Sequence, residues 1–166
     1  MIVENLCNLF QKKICYCYSY IFFFITSKIK SKHLDNFLIS NYTLDSNIIL
    51  KTIQSTNIIT VLKNQKLEET VMREMIDQQY LKTDIEFLTL IRTQRLSDSF
   101  LEDYQHKLNW SWISCYQILN EDSIRKFKEH LKWEFISYKQ LLSIDFILEF
   151  SDYIDWFTIM KNPFFD

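Results

Sequence analysis

The sequence predicts an all-α fold: an α-solenoid, of right or left hand, built from short helix-turn-helix repeats of 23 residues. Three observations predict it. Trp110, Trp133 and Trp156 stand 23 residues apart, and the sets Ile113, Ile136, Ile159 and Leu108, Leu131, Ile154 keep the same step. Within one such stretch Phe146, Ile147, Phe150 and Ile154 stand at i, i+1, i+4 and i+8, and Trp110, Ile113, Ser114 and Gln117 at i, i+3, i+4 and i+7, each set on one face of a helix. Glycine is absent, alanine is absent, and Pro163 is the single proline. That composition disfavours hairpin-rich β folds, whose tight turns want φ > 0, whereas helix ends manage with Asn, Ser or Asp. The missing residue types need GC-rich codons, so an AT-rich genome is read from the same bias.

Residues 1–33 form an apolar and basic N-terminal segment. Ile2, Val3, Leu6, Leu9 and Phe10 recur at helical spacing. Lys12 and Lys13 then lead into the apolar run Ile14 to Ile25, after which Lys28, Lys30 and Lys32 follow. Twelve residues are too few to span a bilayer as a helix, which takes about 20. The run is read first as a cap packed on the helical array, with attachment to a membrane surface as the alternative. Cys15 and Cys17 could be acylated in that second case. Cleavage as a signal peptide is disfavoured, because no glycine or alanine is on offer at the cleavage site.

Residues 34–73 read as degenerate helical repeats. Phe37-Leu38-Ile39-Ser40-Asn41-Tyr42 echoes Trp112-Ile113-Ser114-Cys115-Tyr116, and Asn64-Gln65-Lys66-Leu67 echoes Thr93-Gln94-Arg95-Leu96. Gln65 and Gln94 lie 29 residues apart rather than 23, so an insertion is expected to lengthen a helix over about 67–81.

Residues 74–166 are the tandem 23-residue repeats. In the stretch 143–165, Ser143 is an expected N-cap, with Asp145 in the first turn of a helix that carries Phe146, Ile147, Phe150 and Ile154 on one face. Asp155 stands before Trp156 as Asn109 stands before Trp110, so both are expected to cap a second helix. That helix carries Trp110, Ile113, Ser114 and Gln117 in one copy and Trp133, Ile136, Ser137 and Gln140 in the next. Helices of about eight to eleven residues are unstable alone and have to stack on neighbours. The recurring serine is expected to allow close approach, the tryptophans to be core, and Gln94, Gln117 and Gln140 to form a buried ladder against neighbouring helix ends. At the end of the array Met160 stands in place of serine and Pro163 in place of glutamine, so the last copy is expected to be atypical.

Leu108-x-Trp110-x-x-Ile113-Ser114-x-x-Gln117-x-Leu119, followed by Ile124 and Phe127 and then the same pattern again, resembles the tandem W-x-x-I-S-x-x-Q-x-L-S-x-x-F-I repeat of uncharacterised proteins from giant and other large DNA viruses. The resemblance covers about half the chain well, and Ser123, Met160 and Pro163 depart from it. It implies a viral repeat protein in the host cell, with no catalytic residues attached to the pattern.

Composition and motifs bound the function by exclusion. Without glycine there is no P-loop, no dinucleotide fingerprint and no G-x-S-x-G elbow. Residues 1–73 carry nine Lys/Arg against five Asp/Glu, and residues 74–166 carry ten against sixteen. An acidic repeat half argues against nucleic acid, whose phosphates need clustered Lys and Arg. Cys7, Cys15, Cys17 and Cys115 contain no C-x-x-C pair and suggest neither zinc nor a disulfide framework, so a reducing cytoplasm is expected. His33, His106 and His130 are dispersed, Asp155 is better explained as a cap than as half of an acid/base pair with Asp152, and Cys115 reads as a packing residue. The expectation is therefore a non-enzymatic protein-protein interaction module with no cofactor, metal or catalytic residue. Its partner would be a host or viral protein, and membrane association through Ile14 to Ile25 is the alternative.

Overall fold

The computed structural model describes residues 32–41, 43–53 and 56–164. Ile14 to Ile25, the run read as cap or membrane-surface segment, lies outside them. Among the described residues there are eleven helices and no strand. The chain divides into two compact units, Met1–Lys66 and Leu67–Asp166.

The described part of the N-terminal unit holds α1 (Lys32–Asn41), α2 (Ser46–Thr52) and α3 (Ile58–Asn64). Asp45 caps α2 through the amide of Asn47, and Asn57 caps α3 through that of Ile59. These are the short polar side chains that helix starts favour. Helices α1 and α3 lie in contact. Their core includes Leu38, Ile39, Ile49, Val61 and Leu62.

The C-terminal unit holds α4 (Glu69–Asp77), α5 (Asp84–Thr93), α6 (Asp98–Asp103), α7 (Trp110–Tyr116), α8 (Glu121–Phe127), α9 (Trp133–Lys139), α10 (Ile144–Glu149) and α11 (Trp156–Ile159). Contacts run in succession, α5 with α7, α7 with α9 and α9 with α11. The core includes Ile113 on α7, Ile136 on α9 and Ile159 on α11, together with Leu101 on α6, Ile124 on α8 and Ile147 on α10.

The helix expected over about 67–81 is shorter, ending at Asp77. Gln79 adopts φ 56°, the left-handed conformation usually given to glycine. The amide of Gln79 reaches the Ile76 carbonyl at 3.1 Å and that of Tyr80 the Met75 carbonyl at 2.9 Å. This is a Schellman ending, with glutamine in the place of the glycine that this chain lacks.

The later helices are also shorter than eight to eleven residues. α6 to α10 span six or seven residues each and α11 spans four. Serine, asparagine and aspartate set their starts: Ser97, Asn109, Asn120, Ser143 and Asp155 each accept amides of the first turn. Lys132 holds the equivalent place before Trp133 without a side-chain cap. The ends of α6, α8, α10 and α11 fall at Tyr104, Lys128, Phe150 and Met160. Gln94, Gln117 and Gln140, expected within the helical stripe, instead follow α5, α7 and α9 in extended backbone (ψ 150°, 144° and 148°). That backbone turns each carboxamide inward, where it bonds to main chain already in place.

Candidate functional site

The joints between helix pairs decide which surfaces remain open. Gln117 Nε2 donates to the carbonyls of Ile91 and Gln94, the latter at 2.8 Å, while its Oε1 accepts the Leu96 amide at 3.0 Å. Gln140 repeats this on the next pair, Nε2 to the Gln117 carbonyl at 2.8 Å and Oε1 from the Leu119 amide at 3.1 Å. Gln94 accepts the Leu67 amide at 3.0 Å. In the N-terminal unit Gln65 makes the same bridge, donating to Ile39 at 2.7 Å and accepting from Leu44 at 2.9 Å. All four glutamines are buried. Gln65, Gln117 and Gln140 satisfy both carbonyls and amides, and Gln94 an amide, that helix ends and extended stretches leave unpaired, which is why a polar side chain is tolerated there.

Pro163 stands 23 residues after Gln140 and has no carboxamide to offer. Asn162, one residue earlier, is buried and takes over: its Nδ2 donates to the carbonyls of Ser137 and Gln140, both at 2.8 Å. Its Oδ1 accepts the Phe164 amide at 2.9 Å. The shorter side chain reaches the same carbonyls because its backbone sits one residue closer, so position counting alone missed it.

The recurring serine does more than save space. Ser114 and Ser137 are fully buried. Ser114 Oγ donates to the Trp110 carbonyl at 2.7 Å and accepts the Lys132 amide at 2.9 Å. Ser137 Oγ accepts the Asp155 amide at 3.0 Å. A hydroxyl both donates and accepts, so it ties one helix to the start of the next.

Trp110 and Trp133 are half-buried facings rather than deep core. Trp110 packs on Phe127 (centroids 5.1 Å apart) and stacks on His130 (4.9 Å, 23°). Trp133 packs in the same way on Phe150 and Tyr153, at 5.4 and 4.9 Å. Each covers the pair that follows it. Indole Nε1 donates to the carbonyl five residues back, Gln105 for Trp110, Lys128 for Trp133 and Ser151 for Trp156. Trp156 has no described ring over it and is 54% exposed.

Charged residues of the first helices are mutually engaged. Arg73 bridges Glu69 at 2.8 Å and Asp103 at 2.6 Å, linking α4 to α6. Lys126 reaches Glu102 at 3.0 Å, linking α6 to α8, and Arg125 reaches Glu149 at 2.7 Å, linking α8 to α10. The Asp103 carboxylate, then Glu69, raise the pKa of Arg73 above its ordinary value. The Arg125 guanidinium lowers that of Glu149. Glu102, Asp103 and Glu149 are thus answered by basic neighbours.

Apolar side chains remain exposed elsewhere. Ile118, Leu141 and Phe164, again 23 residues apart, are exposed, as are Tyr116 and Tyr138. Ile144, Leu148, Phe157 and Met160 are exposed at the end of the unit. Lys161 lies over the Phe157 ring, 3.6 Å from its centre.

The residues weighed for chemistry are not brought together. His106 is exposed, His130 is occupied by its stack on Trp110, and His33 lies in α1. Asp155 caps α11 through the amides of Phe157 and Thr158. Cys115, half-buried on α7, has the Lys139 ammonium 3.6 Å from its sulfur. Among the described residues no group of three or more His, Cys, Asp or Glu is placed to hold a metal ion, and no helix is long and apolar enough to cross a membrane. No known protein family, curated protein or solved structure matches the chain.

Proposed function

We propose that this chain is a non-catalytic helical-repeat protein, an α-solenoid of 23-residue helix-turn-helix units akin to the tandem repeats of large DNA viruses, and that it works as a protein-protein interaction module in the cytoplasm. The repeat reading is supported by bonds that recur with their residues. Gln117 to Gln94 and Gln140 to Gln117 are the same hydrogen bond 23 residues on, and the Ser-to-amide bonds of Ser114 and Ser137 likewise repeat.

The observation that carries the interaction reading is the row Ile118, Leu141 and Phe164. Ile118 and Leu141 directly follow the bonded Gln117 and Gln140, and the Phe164 amide is held by Asn162, so each of the three adjoins a buried carboxamide. Their exposures are 76%, 70% and 61%. Single exposed apolar residues are ordinary, but three that recur at a 23-residue step, with Tyr116 and Tyr138 near two of them in sequence, suit a partner that presents an apolar segment.

The test is affinity capture with the whole chain beside an Ile118→Asp, Leu141→Asp double variant. A protein retained by the wild type and lost by the variant, with helical content unchanged, is the expected result. Identical capture by both would refute the row as the binding surface.

A further inference from the structure

Among the described residues of the C-terminal unit, two tyrosine rings each hold two cations, and only one of the rings is balanced by acid. At Tyr104 the Arg73 guanidinium lies 5.6 Å and the Lys107 ammonium 5.7 Å from the ring centre. Carboxylates answer them there: Arg73 pairs with Asp103 at 2.6 Å and Glu69 at 2.8 Å, and the Tyr104 hydroxyl donates to Asp77 at 3.0 Å. At Tyr116, the last residue of α7, Arg92 of α5 and Lys139 of α9 stand at similar distances, 5.7 and 5.6 Å from the ring centre. Both helices are in contact with α7, and Lys139 also touches the Cys115 sulfur. Among the described residues neither Arg92 nor Lys139 forms an ion pair, and the Tyr116 hydroxyl has no hydrogen-bond partner.

Arg92 and Lys139 stand in the last turns of α5 and α9, where positive charge suits the negative end of the helix dipole. That accounts for a cation on each helix, but not for their meeting on one ring of a third. The acidic residues of α5 and α9 include Asp84, Glu86 and Glu134 in the first turns, and α7 has none. A ring face attracts a cation and leaves its charge whole, so two cations on one ring still repel each other and lack an anion. An anion beside Tyr116 would meet two charged donors and a hydroxyl. All three side chains are exposed and open to it.

We propose that Arg92, Tyr116 and Lys139 form a site for a side-chain carboxylate on an acidic segment of a partner protein. Tyr104 is the precedent within the chain, since there an arginine, a lysine and a phenol meet Asp and Glu. The surroundings favour a protein segment over nucleic acid or anionic lipid. Two cations are few for a phosphate backbone or a charged membrane, and residues 74–166 are acidic as a whole. Exposed Ile118 and Leu141 stand two residues after Tyr116 and Lys139, so the segment that fits mixes acidic with apolar side chains. The proposal rests on reading the chain as an interaction module and adds what its partner carries.

The experiment is fluorescence anisotropy of the full chain, up to about 1 mM, with a labelled peptide of repeated Glu-Leu-Glu units, beside the same peptide with glutamine in place of glutamate. The acidic peptide is expected to bind at least about tenfold more tightly than its glutamine counterpart, with the difference shrinking as salt rises. Arg92→Gln and Lys139→Gln, both at exposed positions and so compatible with folding, are each expected to weaken it about tenfold with unchanged helical circular dichroism. Lys107→Gln removes the same charge beside the balanced Tyr104 and is expected to leave binding unchanged. Equal binding of the two peptides, binding of neither, or equal sensitivity to Lys107→Gln would overturn the proposal. So would single-stranded DNA that binds more tightly than the acidic peptide and is lost in Arg92→Gln. A protein captured through Ile118 and Leu141 that an Arg92→Gln, Lys139→Gln double variant still holds in full would sink this site alone and leave the interaction module standing.

Discussion

Replacing Gln117 with leucine is the sharpest test of how the C-terminal unit holds together. The leucine side chain is one bond shorter and branches one carbon earlier, and the substitution strips partners from three buried main-chain groups: the Leu96 amide and the Ile91 and Gln94 carbonyls. Unmet buried groups cost about 1–3 kcal/mol each, and part of that is recovered by the lower desolvation cost of leucine. The net loss should be on the order of 3–5 kcal/mol, a large share of the roughly 5–15 kcal/mol that a domain possesses. Urea unfolding followed by circular dichroism would show the midpoint falling with the slope unchanged if the folded state is otherwise intact. Gln117→Glu adds a pH signature. An ionised carboxylate there would face two carbonyls, so its folded pKa is raised. Folding of this variant should then be most stable below the unfolded carboxylate value, near 4.3, and lose stability as pH rises through the raised folded value. A loss under about 1 kcal/mol for Gln117→Leu, or a Gln117→Glu variant that gains stability with rising pH, would refute the view that the buried carboxamide is structural.

Further outcomes follow from the same joints. Trp110→Ala should cost about 2–3 kcal/mol, since the ring covers Phe127 and His130, whereas Trp156→Ala should cost under about 1 kcal/mol; thermal melts of the two variants compare them directly. Ser137→Ala removes the acceptor of the Asp155 amide and should cost about 1–2 kcal/mol in the same melts. Burial pushes the Glu86 pKa up, but the Lys82 and Thr83 amides outweigh it and leave it below its ordinary value of 4.5, as the Ser97 hydroxyl and Arg73 do against burial for Glu69. Lowered folded pKa values mean stability that is present above about 4.5 and lost as pH falls through the folded values, so the melting temperature should drop on acidification below that point. Membrane flotation of the full chain beside a version starting at Ser31 tests the reading of Ile14 to Ile25: if only the full chain floats, that run attaches the protein to lipid, and if neither floats, the membrane alternative falls.

The helical class, the succession of short elements and most of the core were legible because periodicity records burial directly. Ile113, Ile136 and Ile159 recur in sequence and are buried in the structure. The caps were legible for a local reason: Ser143, Asn109 and Asp155 act on amides two or three residues away, and nothing distant is required. The glutamine ladder was legible in outline, since a polar residue repeated on an apolar stripe has to find partners. Helix length was not, because the extended conformation of Gln117 is selected by carbonyls more than twenty residues back. The same holds for Asn162, whose role depends on how near its backbone passes to Gln140.

What the sequence by itself determined is the helical register: which residues turn inward and where helices start. Those are consequences of side-chain polarity and local hydrogen bonding. Which recurring positions form joints, and which are left open, was decided only by tertiary structure. Trp110 and Trp156 are the same residue in the same local pattern, yet the first is roofed by Phe127 and His130 and the second is half bare. A tryptophan carries no local mark of whether another helix pair lies over it. Exposure is a property of what is packed beside a residue in space.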